Sequence, residues 1–81
     1  MYTTYVLYSE KYDKIYIGFT SNLEGRLLAH NELSTKGWTV RFRPWRLLYK
    51  EEYESKSDAM RRERELKSYR GRQFIRQLLS G

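Results

Sequence analysis

The chain has 81 residues, no cysteine, and 16 Lys and Arg against 10 Asp and Glu, giving a formal charge of +6 at pH 7. That length suits one compact domain, because a second core would not bury enough apolar surface to offset its ordering entropy. Without cysteine there is no disulfide framework, thiolate metal site or cysteine nucleophile, and the positive excess favours a polyanionic partner through counterion release. A hydrophobic fraction of 40% with two Trp, eight Tyr and three Phe is enough for a folded core. No apolar run approaches the roughly 20 residues of a membrane span, and the chain opens without the basic and apolar regions of an export signal. A cytoplasmic protein with no membrane partner is expected.

Residues 2–8 and 14–18 are rich in β-branched and aromatic residues and flank the polar stretch Ser9 to Asp13, so they predict a β-hairpin. Ser21 with Glu24 three residues later has the spacing of a capping box, and a first helix is expected from about Asn22 to Leu33. Ser34 to Arg43 contains Gly37 and shows no period. Pro44 cannot donate to a ladder, so a loop should lead into a third strand from about Trp45 to Tyr53. Ser57 is the expected cap of a second helix running to about Tyr69. Gly71 should interrupt it before Phe74, Ile75, Leu78 and Leu79 form a last amphipathic helix. The order is ββαβαα, with no repeat or linker.

On a helical wheel Leu23, Arg26, Leu27 and His30 fall within a sector of about 100°, so Arg26 and His30 border the buried stripe one turn apart. A guanidinium suits a phosphodiester, because its fixed fork of donors matches two phosphate oxygens. The plainer alternative is an arginine lying over the helix edge and a satisfied boundary histidine. On the second helix Ala59, Met60, Glu63 and Leu66 share one face, which inserts a carboxylate into an apolar stripe. A buried carboxylate needs a partner: Mg²⁺ held by this one carboxylate and several waters, or an ion pair with Lys67 or Arg70. Tyr5 and Tyr16 sit on adjacent strands, where packing is the default role.

No phosphate-cradling glycine loop, nucleophile elbow or His-Glu-x-x-His run occurs, and a single histidine builds no zinc site unaided. Basic residues concentrate in Lys36 to Lys50 and Arg61 to Arg76. The first of these segments also carries Trp38, Phe42 and Trp45, so its cations would track phosphates while its rings stack on bases, unless Trp45 belongs to the core.

In this order the motifs resemble the GIY-YIG nuclease superfamily, and within it the small stand-alone bacterial members, over nearly the full length. Thr3-Thr4-Tyr5 occupies the first motif with its tyrosine kept, and Tyr16-Ile17-Gly18 matches the second. The family arginine falls eight residues beyond the motif glycine, on Arg26, and the histidine one turn later falls on His30. The family's metal-binding glutamate, on the helix after the third strand, falls on Glu63 rather than Glu65. Asn31, Arg43-Pro44-Trp45, Glu63-x-x-Leu66-Lys67 and Gly71-Arg72-x-Phe74-Ile75 also look like the compact subgroup. Phe19 stands where some excision-repair members carry lysine.

The resemblance implies an α/β (α+β) sandwich with a three-stranded antiparallel sheet flanked by helices. It further implies a metal-dependent endonuclease that hydrolyses DNA phosphodiesters with Mg²⁺ or Mn²⁺. Tyr5 would act as general base or orient the attacking water, Tyr16 would help position water or phosphate, and Arg26 would clamp the phosphate, with His30 beside them and Glu63 on the metal. The alternative is a non-catalytic basic nucleic-acid-binding module on the same scaffold.

Overall fold

Two strands, β1 (Tyr2–Ser9) and β2 (Lys14–Thr20), form the expected antiparallel hairpin, with Tyr5 opposite Gly18 and Leu7 opposite Tyr16. β3 (Arg46–Tyr53) pairs antiparallel with the other edge of β1, so the sheet order is β2-β1-β3. These elements come from a computed structural model of the chain, which describes residues 1–80. The central strand is buried on both faces because Tyr5 and Leu7 alternate with Thr4 and Val6, leaving no polar edge to water. A register shift between Val6 and Leu7 leaves Leu48 without a partner on β1.

Helix α1 (Leu23–Leu28) runs directly into a π-helical segment, Ala29–Leu33, so the predicted first helix exists but changes its winding halfway. Its cap is Asn22 rather than Ser21: the Asn22 side chain accepts from the Gly25 amide at 3.1 Å. The segment expected to be a plain loop contains a 3₁₀ turn, Trp38–Phe42, and β3 begins one residue after Trp45.

Helix α2 (Lys56–Lys67) is capped by Ser55, not Ser57, and α3 (Tyr69–Ser80) follows after a single break at Ser68. Gly71 therefore lies inside α3 instead of interrupting it. A Cβ there would collide with the Glu65 carbonyl oxygen and the Leu66 Cα, so glycine is required for α3 to close against the end of α2.

Two layers cover the sheet. On one side Val6 and Ile17 pack against Leu66 of α2 and Ile75 of α3. On the other, Tyr5, Leu7 and Trp45 pack with Tyr16, Leu23, Leu27, Phe42 and Leu47. The helix α2 is further tied to the sheet by Thr4, whose hydroxyl donates to the Ala59 carbonyl at 2.8 Å, and by Glu51 of β3. Glu51 accepts from Tyr49, Tyr53 and, twice, from Arg62. Burial alone would raise the Glu51 pKa, but these donors hold it below the usual carboxylate value, and the Tyr53 phenol is pushed up to about 12. Among the described residues no helix is long and apolar enough to cross a membrane.

Candidate active site

The Tyr5 phenol is the centre of the polar cluster, and it is only 1% exposed. Its ring leans over Gly18, where a Cβ would stand 2.7 Å from the hydroxyl, so the motif glycine makes room for the tyrosine opposite it. The hydroxyl lies 3.3 Å from Nε2 of His30. Tyr16 completes an aromatic triangle, with its ring centroid 6.2 Å from Tyr5 and 4.6 Å from His30.

His30 is 5% exposed and sits on the π-helical segment, a winding often found where a helix must aim a functional side chain. The segment is fixed from outside. Arg43 donates to the carbonyls of Ala29, His30 and Ser34 at 3.1, 2.5 and 2.7 Å, which clamps the end of the segment, where the Ala29 carbonyl also accepts from the Ser34 amide. Asn31 makes a two-way bond with the Trp45 backbone, accepting from its amide at 2.6 Å and donating to its carbonyl at 2.9 Å. Thr39, in the 3₁₀ turn, places its hydroxyl 3.0 Å from His30 Nδ1, and its carbonyl accepts from the Trp45 indole at 2.8 Å. Thr39 was invisible in the sequence because nothing in a segment without a period signals that its hydroxyl is buried. Asn31 and Arg43 stand out in the sequence only as pattern, with no role attached.

Electrostatics join the remaining residues to this cluster. Burial raises the Tyr5 pKa above its ordinary value of 10; nearby Arg26 donors pull it down, while Tyr16 and Glu63 add negative field that raises it. The Arg26 pKa is raised in turn, chiefly by Tyr5. His30 is held below its ordinary value of 6.5 by burial and by the charges of Arg26 and Arg43. Arg26 is an exposed residue at the rim of this cluster.

Glu63 comes from the opposite layer, since α2 packs on the Val6 side, yet its charge reaches Tyr5. Its side chain is 20% exposed and its charged neighbour is Lys67, at 3.7 Å, the first of the two ion-pair partners expected from the sequence. Met60, placed on the same buried stripe by the helical wheel, is 39% exposed; the stripe narrows to Ala59 and Leu66. No group of three His, Cys, Asp or Glu side chains able to hold a metal occurs among the described residues. One half-buried carboxylate matches an ion that keeps several waters and completes its shell with substrate oxygens, which is how Mg²⁺ binds in phosphoryl-transfer sites.

Of Trp38, Phe42 and Trp45 in the basic segment, Trp45 belongs to the core and packs 6.5 Å from Tyr16. Trp38 remains 46% exposed and packs on Phe42 with a centroid distance of 4.8 Å.

Comparison with known proteins places these residues in a family. The model of the GIY-YIG catalytic domain matches residues 1–75. A UPF0213 protein of Staphylococcus haemolyticus is 38% identical over 68 residues, covering 84% of this chain and 83% of its own. A UPF0213 protein of Staphylococcus epidermidis is 33% identical over 67 residues, covering 83% of this chain and 82% of its own. Among solved structures, the solution NMR structure of a UPF0213 protein from Bacillus halodurans superposes with a TM-score of 0.56 at 28% identity, over 96% of this chain and 85% of that one.

Proposed function

This chain belongs to the GIY-YIG catalytic domain family, a nuclease family, and on that premise we propose that it is a divalent-metal-dependent endonuclease cutting DNA phosphodiesters at a site formed by Tyr5, Tyr16, Arg26, His30 and Glu63. The observation that carries the reading is the convergence on one buried phenol: the His30 ring within hydrogen-bonding distance, and the charges of Arg26 and Glu63, from opposite layers, both acting on it.

Each residue has a task that follows from its surroundings. Arg26, at the rim, binds the scissile phosphate and offsets the charge that builds on it. Tyr5 orients the attacking water by its hydroxyl, which is covered in the free protein and must be uncovered when substrate binds. Because its pKa is raised, it works as a neutral phenol in contact with His30 rather than as a free phenolate. Tyr16 packs against the His30 ring and helps hold it in place beside Tyr5. Glu63 would hold Mg²⁺ or Mn²⁺ and must release Lys67 to do so. The ion, when bound, supplies Lewis-acid stabilisation of the leaving oxygen. The charge of +6 favours the nucleic-acid backbone as partner, and the cysteine-free chain suits the reducing cytoplasm.

Supercoiled plasmid with Mg²⁺ or Mn²⁺ tests the proposal. Wild type should nick it, and Glu63→Ala and Arg26→Ala should each lose about 10²- to 10³-fold in rate. Equal nicking by all three proteins would contradict the site. Salt-sensitive binding to DNA without any cutting would favour the second reading, a basic binding module, for which the sealed Tyr5 hydroxyl and the paired Glu63 are the supporting observations.

A further inference from the structure

The single histidine is held at both ring nitrogens by hydroxyls from two distant parts of the chain: Thr39 Oγ1 at 3.0 Å from Nδ1, and the Tyr5 hydroxyl at 3.3 Å from Nε2. A neutral imidazole has one N–H and one lone pair, so the chain of three groups has two consistent directions. Either Nδ1–H donates to Thr39 and Tyr5 donates to Nε2, or Thr39 donates to Nδ1 and Nε2–H donates to Tyr5. The surroundings of Tyr5 separate them. The residue is 1% exposed, so in the resting protein its hydroxyl hydrogen needs an acceptor from the protein itself. Nε2 is the one acceptor within hydrogen-bonding distance of it among the described residues. The second direction strands that hydrogen at a residue only 1% exposed, whereas the first leaves the Thr39 hydroxyl hydrogen free at a residue 7% exposed and nearer to water, so the first is the less costly.

We propose that Thr39 is a positioning residue: by accepting the Nδ1–H of His30, it fixes the tautomer whose Nε2 takes the phenolic proton of Tyr5. The catalytic consequence rests on the nuclease reading above, while the tautomer itself does not. Histidine in water prefers the proton on Nε2, so the Tyr5 donor at Nε2 and the Thr39 acceptor at Nδ1 together enforce the opposite choice, and loss of the Nδ1 acceptor lets the intrinsic preference return. During hydrolysis a water brought in with the substrate against the hydroxyl, which is covered in the free protein, gives a proton to the Tyr5 oxygen as the Tyr5 proton passes to Nε2, and the water oxygen forms the new bond to phosphorus. The leaving oxygen departs with the electron pair of the broken bond and takes a proton from solvent. His30 then returns its extra proton through Tyr5 to bulk water. Tyr5 is never a free phenolate, in keeping with its burial.

Nitrogen-15 NMR of the imidazole decides the matter, because one histidine gives one unambiguous pair of ring signals. Wild type should carry its proton on Nδ1. Thr39→Val keeps the branched shape and leaves the backbone carbonyl that holds Trp45 in place. It should move the proton to Nε2 and lower kcat for plasmid nicking by roughly 10- to 100-fold with KM little changed, within the range of general acid–base effects. Thr39→Ser should restore both. A wild-type ring protonated at Nε2 overturns the proposal, as does an unchanged tautomer in Thr39→Val. Should Thr39→Val fail to fold, the wild-type spectrum still decides, with Thr39→Ser required to reproduce it. A wild type that cuts nothing would sink the nuclease reading and leave the tautomer result standing.

Discussion

Neighbouring residues of β1 belong to two different environments. Val6 faces a layer closed by Ile17, Leu66 and Ile75, where the contacts are hydrocarbon on hydrocarbon. Tyr5 faces a layer in which phenols, an imidazole and a buried threonine are interleaved with Leu7 and Trp45, with Tyr5, His30, Thr39 and the Trp45 indole joined by hydrogen bonds. The comparison teaches that one strand separates two tasks. Apolar burial on the Val6 side stabilises the sheet, while the Tyr5 side carries the desolvated polar groups that chemistry needs.

The same substitution on the two sides separates them most clearly. Gly71→Ala on the Val6 side drives a methyl into the backbone of α2, which cannot retreat without parting the two helices, so it should cost about 3 kcal/mol of stability, read as a lower urea midpoint. Gly18→Ala meets the ends of the Tyr5 and Tyr16 rings instead. A side chain yields more easily than backbone, so the cost should be about 1 kcal/mol, but the displaced Tyr5 hydroxyl should lower any nicking rate disproportionately. Equal losses of stability at both glycines would erase the distinction.

A smaller effect is expected from pH. His30 has a pKa in the folded protein below its ordinary 6.5, owing to burial and to Arg26 and Arg43. As pH falls below that value the unfolded chain binds a proton that the folded chain resists, so this contribution to stability is present above about pH 6.5 and is lost on acidification. Urea midpoints of wild type and His30→Gln, compared at about pH 8 and about pH 5, should converge toward the acid side. Parallel pH dependence in the two proteins would contradict the burial of a neutral imidazole.

Much of the fold was legible because alternation and helical period are local signals. The hairpin, the third strand and the three helices fall where the pattern puts them. Caps were misplaced by one or two residues, since Ser21 and Asn22, or Ser55 and Ser57, offer similar side chains and only the backbone entering the helix chooses between them. Gly71 was misread for a different reason: low helix propensity and close helix packing both select glycine, and only the position of α2 tells them apart. Arg26 and His30 were visible as polar residues beside an apolar stripe, and Glu63 as a carboxylate within one. Thr39 and the π-helical winding were not, because both depend on contacts between segments far apart in the chain.

The most direct test of the account is the single-turnover nicking rate of Tyr5→Phe beside wild type, with both proteins checked for urea midpoint. The change deletes one oxygen from the Tyr5 side and nothing from the Val6 side. Stability should shift by about 1 kcal/mol, while cutting should slow by about 10²-fold or more. A Tyr5→Phe protein that cuts DNA at the wild-type rate would contradict the claim that chemistry is centred on this phenol.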